Sequence, residues 1–168
     1  MKILDAGSGS QDDDYFHIYL DRPNVIHIDI VKTGFHIEAQ CDIHNLPFLN
    51  NAFEIVHASH ILEHICNPYL ALAELKRVSK KYVIIKVPNA AHYRGFFENP
   101  DHIYSWTPET LEHLLSRFFE KVKIIQGYRF VRSPNQNRLK WRLSIFKTYL
   151  VALFFGKNEI IAICQKEE

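Results

Sequence analysis

The chain has 168 residues and a net charge of +1, with 47% of its residues hydrophobic and 23% charged. This length and composition are typical of one globular domain with a substantial core, so we expect a single domain over residues 1–168. The three cysteines lack CxxC spacing and lie in or beside apolar runs, a pattern that gives no support for a disulfide framework or a zinc site.

Apolar runs of strand length alternate with helical patterns along the chain. The predicted strands are Lys2–Ala6, Val25–Asp29, His36–Cys41, Phe53–Ser59, Tyr82–Val87, Val122–Ile125 and Glu159–Cys164. Helices are predicted at Asp14–Leu20, at Asn67–Ser79, after Thr107 and at Leu139–Phe155, with Asn67 and Thr107 as N-caps that precede a proline. Strand–helix alternation in one small domain predicts an α/β fold, a mostly parallel sheet with helices on both faces.

Acidic residues stand at the ends of the first three predicted strands. The first strand ends in Asp5 and turns through two glycines, Gly7 and Gly9, which let the backbone approach a ligand closely. Asp29 ends the second strand, where a carboxylate can accept two hydrogen bonds from a ribose diol. Asp42 follows the third strand, where a carboxylate can accept from an exocyclic amine. This pattern predicts a slot for a ribonucleoside.

A nicotinamide-binding domain is the alternative, since it also requires a glycine loop and an acid about 20 residues later. The G-x-G-x-x-G pattern fails here, because Asp12 stands where its last glycine would be. Three consecutive acids, Asp12 to Asp14, would also repel a pyrophosphate at the start of the next predicted helix. The sequence therefore favours a nucleoside without phosphates.

The order of these motifs resembles class I S-adenosylmethionine-dependent methyltransferases, in particular their type 11 and type 23 groups. The resemblance rests on the segments LDAGSGS, HIDI, CDIHNLPF, FEIVHASHILEHI and YVIIKVPN, and it covers residues 2–127 together with the last strand. It implies a doubly wound seven-stranded sheet of order 3-2-1-4-5-7-6 with the last strand antiparallel. Residues 126–158 would form a variable basic and apolar insertion, and S-adenosyl-L-methionine would be the cofactor.

The resemblance also implies binding roles for individual residues. The glycine loop would hold the methionine and ribose end of the cofactor through Asp5, Ala6, Gly7, Ser8 and Gly9. The remaining implied contacts are Asp29 and Ile30 for the ribose, Asp42 and Ile43 for the adenine, and Ser59 and the His60 backbone for the methionine end. Gln11 replaces the usual third glycine, and the usual N-terminal covering helix is lacking. We therefore expect a looser pocket, or one completed by a second copy or a partner chain.

Methyl transfer from a sulfonium is an in-line displacement that needs positioning of the acceptor and exclusion of water rather than a protein nucleophile. His60–His64 follows the fourth predicted strand, and Asp101-His102 follows the fifth. We predict that His64 and His102 act as general base or orient the acceptor. This stretch resembles the ExxEH…H metal-ligand set of small-RNA 2′-O-methyltransferases, but His60 replaces its first acid. We predict an active-site lining without a bound metal.

The charges are unevenly distributed. Residues 1–120 contain 10 Lys and Arg against 16 Asp and Glu, whereas residues 121–158 contain nine Lys and Arg and no acid. Three interpretations stay open for this basic segment: a solvated face of a helix that covers the sheet, contact through 129–155 with a membrane surface or lipid-linked substrate, and RNA binding.

We expect a cytoplasmic methyltransferase, since no signal peptide or membrane span is visible in the sequence. The methyl acceptor is not identified by any motif, and a small molecule, a lipid-linked compound and RNA are all compatible with the chain. The alternative is a non-catalytic subunit of methyltransferase fold that binds or acts as a scaffold.

Overall fold

The computed structural model describes residues 1–8, 24–31, 37–91, 99–127 and 159–167. The strands are β1 (Ile3–Ala6), β2 (Val25–Asp29), β3 (Ala39–Gln40), β4 (Phe53–Ser59), β5 (Ser79–Pro88), β6 (Lys121–Gly127) and β7 (Glu159–Gln165). The helices in these ranges are α1 (Pro68–Val78) and α2 (Pro108–Leu115), and neither is long and apolar enough to cross a membrane. The helices predicted at Asp14–Leu20 and Leu139–Phe155 lie outside the described residues.

The strands form one seven-stranded sheet in the order β3-β2-β1-β4-β5-β7-β6, which confirms the predicted order. The first five strands in the chain pair in parallel, and β7 runs antiparallel to both β5 and β6, as the resemblance implied. Because parallel strands end at the same edge of a sheet, the segments after β1, β2, β3 and β4 meet there.

Two strands begin and end where the sequence predicts, three (β1, β6 and β7) differ by one or two residues at an end, and β3 and β5 differ more. β2 and β4 have the predicted bounds. β3 is reduced to Ala39 and Gln40, the two described residues of the predicted strand that pair with the end of β2, whereas His36 lies outside the described residues. β5 begins at Ser79 instead of Tyr82, because the chain passes from α1 directly into the strand and Ser79 already pairs with Phe53.

Both described helices begin at the predicted caps. The Asn67 side chain accepts a hydrogen bond from the backbone N–H of Leu70, and Thr107 forms a capping box with Thr110. The buried face of α1 is formed by Pro68, Ala71, Leu72, Leu75 and Val78. The buried face of α2 is formed by Leu111, Leu114 and Leu115, and Phe119 beyond its end is also buried.

An arginine–glutamate pair on α1 fixes the segment that follows Asp42. The Arg77 guanidinium donates to both carboxylate oxygens of Glu74, at 2.6 and 2.7 Å, and to the carbonyls of Leu46 and Phe48, at 2.8 and 2.7 Å. Glu74 also accepts from the backbone N–H of Leu46. A planar guanidinium can serve a bidentate carboxylate and two carbonyls together, which a lysine cannot do.

We predict that Arg77→Ala lowers the free energy of unfolding by about 2 kcal/mol at neutral pH, because two carbonyls and a carboxylate lose their donor. The Arg77 hydrogen bond lowers the pKa of Glu74, so this stabilisation is present above the pKa of an unfolded glutamate and is lost as pH falls through the lower, folded value. Urea titrations of both proteins at neutral and acid pH measure the difference.

The exposed Arg117 provides the matched control, since it follows α2 and reaches only His113 in the described part of the chain. Arg117→Ala is expected to change the unfolding free energy by less than about 0.5 kcal/mol. A loss for Arg77→Ala that is no larger than the control, or that grows on acidification, would contradict the assigned role.

Candidate functional site

A cavity of about 440 Å³ lies at the carboxyl ends of the parallel strands. Its lining is mostly apolar with a few polar groups, and consists of Ala6, Gly7, Ile28, Asp29, Ile30, Cys41, Asp42, Ile43, His44, His60, Ile61, His64, Ile65 and Cys66. Cavities of this size and lining are typical of small-molecule sites, and the carboxyl edge of an open α/β sheet is where such sites occur.

The turn after β1 requires a glycine. Gly7 has φ +75°, and a Cβ at this position would lie 2.7 Å from Cδ1 of Ile61. Its N–H and that of Ser8 both donate to the carbonyl of Ile28, which holds the turn against the end of β2. The backbone at Gly7 therefore forms an open wall of the cavity without a side chain. Gly9 lies outside the described residues.

Two carboxylates stand at neighbouring strand ends on the cavity. Asp29 ends β2, and the N–H of Cys41 donates to its carbonyl at 2.8 Å, which ties the two strand ends together. In Asp42, Oδ1 accepts from the His44 backbone N–H at 2.9 Å and lies 2.7 Å from the His44 Nδ1. These hydrogen bonds, the backbone one foremost, lower the pKa of Asp42 and keep it ionised.

Asp5 lies behind the cavity rather than on its lining. It is 1% exposed, and its carboxylate lies within hydrogen-bond distance of His57 Nδ1 (2.7 Å), His27 Nδ1 (3.0 Å) and the Ser8 hydroxyl (3.0 Å). An ionised carboxylate can only accept, so the imidazoles donate to it. Asp5 and Ser8 are thereby placed to hold the glycine turn from beneath.

His60 follows β4 with φ +51° and belongs to a buried network of charges. Its Nδ1 lies 3.2 Å from Oε1 of Glu63 and its Nε2 lies 3.0 Å from Oε1 of Glu159, whose other oxygen pairs with Lys86 at 3.0 Å. Burial by itself lowers the pKa of His60, but the hydrogen bonds and charges of Glu159 and Glu63 outweigh it and raise the pKa to about 9. The network therefore contains two cations and two carboxylates.

Glu63, His64 and His102 form a second cluster, and their potential ligand atoms lie within 4.8 Å of one another. The His64 Nδ1 donates to the carbonyl of Asp101 at 3.1 Å, so the lone pair of the neutral ring is on Nε2. The rings of His64 and His102 meet edge to face, and Glu63 Oε2 is buried without a hydrogen-bond partner among the described residues. One carboxylate and two imidazoles could hold a divalent ion; the absence of a metal stays a prediction.

The structure thus brings most of the predicted site residues to one cavity. The lining includes Ala6, Gly7, Asp29, Ile30, Asp42, Ile43, His60 and His64. Outside the lining lie Asp5, Ser8, Ser59 and His102, of which Ser59 is buried in β4 and His102 meets the ring of His64 edge to face. Sequence reasoning missed the roles of Glu159 and His44, although the Asp-x-His spacing of Asp42 and His44 is the local signal of a side-chain hydrogen bond to a turn.

Comparisons with known proteins agree with this architecture. A family model described as a methyltransferase domain matches residues 4–85. Over 38 residues the chain is 50% identical to an uncharacterised methyltransferase of Schizosaccharomyces pombe, a match that covers 23% of this chain and 14% of that protein.

Solved structures are similar over nearly the whole chain. A SAM-dependent methyltransferase of Archaeoglobus fulgidus has a TM-score of 0.66 at 22% identity, covering 98% of this chain and 86% of that one. A SAM-dependent methyltransferase of Thermotoga maritima has a TM-score of 0.71 at 15% identity, covering 99% and 82%. Phosphoethanolamine N-methyltransferase 2 of Haemonchus contortus, solved with S-adenosyl-L-methionine, has a TM-score of 0.65 at 14% identity, covering 100% and 50%.

The protein therefore has the fold of class I S-adenosylmethionine-dependent methyltransferases, as its sheet order and these structures show. Residues 4–85 match the methyltransferase domain model, which is consistent with that fold.

We predict that the His60 network makes stability depend on pH on the alkaline side. The folded pKa of about 9 exceeds the unfolded 6.5, so the stabilisation is fully present below pH 6.5 and is lost as pH rises through 9. The difference in pKa corresponds to about 3 kcal/mol. Urea titrations between pH 6 and pH 10 measure it, and His60→Gln should flatten the profile.

His113→Gln is the control for this experiment, because His113 is an exposed histidine of α2 that is distant in sequence from the network. It should keep the wild-type pH profile. If His60→Gln retains the wild-type decrease in stability across this pH range, another group is responsible and the assignment to His60 is wrong.

Proposed function

We propose that the protein transfers a methyl group from S-adenosyl-L-methionine to an acceptor held beside His64 and His102. The observation that carries the proposal is the cavity itself, in which a side-chain-free turn at Gly7 and two carboxylates, Asp29 and Asp42, border an apolar slot. The methyltransferase domain match and the fold support the same conclusion.

The residues of the cavity fit this cofactor. A ribose diol has two donors, which Asp29 can accept at the end of β2. Asp42 and Ile43 border the slot on the β3 side, where a charged acceptor beside an apolar surface suits an adenine ring with its exocyclic amine. The open backbone at Gly7 and at His60, whose N–H donates to the Lys86 carbonyl, leaves room for the methionine end.

When bound, S-adenosyl-L-methionine supplies an electrophilic methyl group on a sulfonium. With the cofactor held by the Gly7 turn, Asp29 and Asp42, the acceptor atom would attack this methyl group in line, and S-adenosylhomocysteine would be the leaving group. The Nε2 atom of His64 can take the proton that a hydroxyl or ammonium acceptor releases, because the Nδ1–H of His64 donates to the Asp101 carbonyl. Burial, and then repulsion from His64 when that ring is protonated, lower the pKa of His102, which favours a neutral ring beside the acceptor.

We propose a small molecule as the acceptor, because a cavity of about 440 Å³ is of the size typical of small-molecule sites. A membrane surface or RNA would contact the basic segment 129–155, whose charges lie in a stretch of sequence without acids. We further propose that a second copy or a partner chain completes the pocket, and that the protein is located in the cytoplasm.

Calorimetric titration with S-adenosylhomocysteine tests cofactor binding. We predict that the wild type binds it and that Asp29→Ala binds about 100-fold more weakly, since a charged acceptor of two hydrogen bonds is lost. Glu109→Ala is the matched control, because it removes an exposed carboxylate at the start of α2, and it should leave the affinity unchanged. Absence of wild-type binding, or equal binding by Asp29→Ala, would contradict the proposed function.

Methyl transfer is tested with small-molecule cell extract and S-adenosylmethionine that carries a deuterated methyl group, with mass spectrometry to detect the labelled product. We predict that His64→Ala and His102→Ala each slow labelling about 100-fold, the contribution typical of general acid–base catalysis, while S-adenosylhomocysteine still binds. If the wild type binds S-adenosylhomocysteine but labels no product, the alternative of a non-catalytic subunit is favoured.

We expect the methylation rate to be unchanged in the presence of a chelator. A loss of rate that Mn²⁺ or Zn²⁺ restores would instead assign Glu63, His64 and His102 to a metal site.

A further inference from the structure

His44 lies on the cavity next to Asp42 and holds that carboxylate by one oxygen. Oδ1 of Asp42 receives the His44 backbone N–H at 2.9 Å and lies 2.7 Å from Nδ1 of the same residue. Both contacts are made by His44, and Oδ2 has no partner among the described residues. The two oxygens of one carboxylate are therefore in different environments.

The direction of the side-chain hydrogen bond follows from charge. An ionised carboxylate has no proton to give, so Nδ1 of His44 carries the hydrogen and donates. The short distance of 2.7 Å is typical of a charge-assisted hydrogen bond. The bond fixes the rotation of the Asp42 carboxylate about its Cβ–Cγ axis, because the backbone N–H and the imidazole N–H converge on the same oxygen.

The imidazole ring of His44 is itself held in place. Its Nε2 is buried and has no hydrogen-bond partner in the part of the chain that the structure describes, so the ring is oriented by the Nδ1 bond and by packing. The following residues are anchored as well, since the N–H of Asn45 donates to the Asp42 carbonyl and the Arg77–Glu74 pair holds Leu46. His44 is therefore a rigid support for the carboxylate.

We propose that His44 is a positioning residue that sets the base specificity of the slot, an inference that rests on the proposed function. By occupying Oδ1 it leaves Oδ2 of Asp42 as the acceptor for the nucleoside base. A base with an exocyclic amine donates to this oxygen, whereas a base with a carbonyl at the same position brings two acceptors together. The slot thereby selects adenine over hypoxanthine through the orientation that His44 imposes.

The experiment compares S-adenosylhomocysteine with its deaminated analogue S-inosylhomocysteine, which has a carbonyl in place of the exocyclic amine and a hydrogen on N1, by calorimetry on the full chain. We expect the wild type to bind the adenine form at least about tenfold more tightly, the range of a charge-assisted hydrogen bond. His44→Ala should reduce this preference to about threefold or less, by weakening adenine binding more than hypoxanthine binding.

Two further variants separate positioning from a general structural effect. His44→Asn places a donor near the position of Nδ1 and should restore most of the preference, whereas His44→Gln places its donor further out and should not. His113→Ala, which removes an exposed histidine of α2, should leave both affinities unchanged. Thermal unfolding of each variant confirms that folded proteins are compared.

The outcomes distinguish this inference from the proposed function. If the wild type binds S-adenosylhomocysteine but His44→Ala keeps the full preference, or loses affinity for both ligands equally, His44 does not set specificity although the cofactor assignment stands. A wild type that binds both ligands equally also overturns the inference. If the wild type binds neither ligand, the proposed function itself fails.

Discussion

The carboxylate of Asp5, shared by two imidazoles across three neighbouring strands, is the constraint on which the site depends. Strand register places His27 on β2 and His57 on β4 directly beside Asp5, and their Nδ1 atoms reach opposite oxygens of its carboxylate. A buried carboxylate is costly unless each oxygen has a donor. A slip of one residue in either neighbouring strand would turn its imidazole to the other face of the sheet and leave the charge unpaired.

The hydrogen bonds of His27 and His57 to Asp5 determine the alignment of the ligand-facing residues. Two residues after Asp5 comes Gly7, two residues after His27 comes Asp29, and two residues after His57 comes Ser59, which directly precedes His60. Since side chains on one face of a strand repeat every two residues, the three strand ends are kept level with one another. The register that satisfies the buried charge is therefore the register that assembles the cavity.

The charge network at His60 fixes the opposite side of the cavity. It joins the end of β4 to Lys86 on β5 and to Glu159, the first residue of β7, so residues far apart in sequence share one buried set of compensating charges. Removing any one partner would leave an uncompensated buried charge, which is strongly destabilising. His60 and His64 line the same cavity, and Glu63 belongs both to the His60 network and to the cluster with His64 and His102.

The sequence by itself determined the alternation of strands and helices, the caps at Asn67 and Thr107, the glycine turn at Gly7 and the acids Asp29 and Asp42 at strand ends, because these depend on local backbone preferences and hydrophobic periodicity. Only the tertiary structure decided that Asp5 supports the turn from behind, that Glu159 joins His60, and that His44 holds Asp42 by one oxygen. The first two contacts join residues 52 and 99 positions apart, which no local pattern encodes. The third is local in sequence, but it required knowledge of the rotamer and of which carboxylate oxygen accepts, and packing around the strand ends settles both.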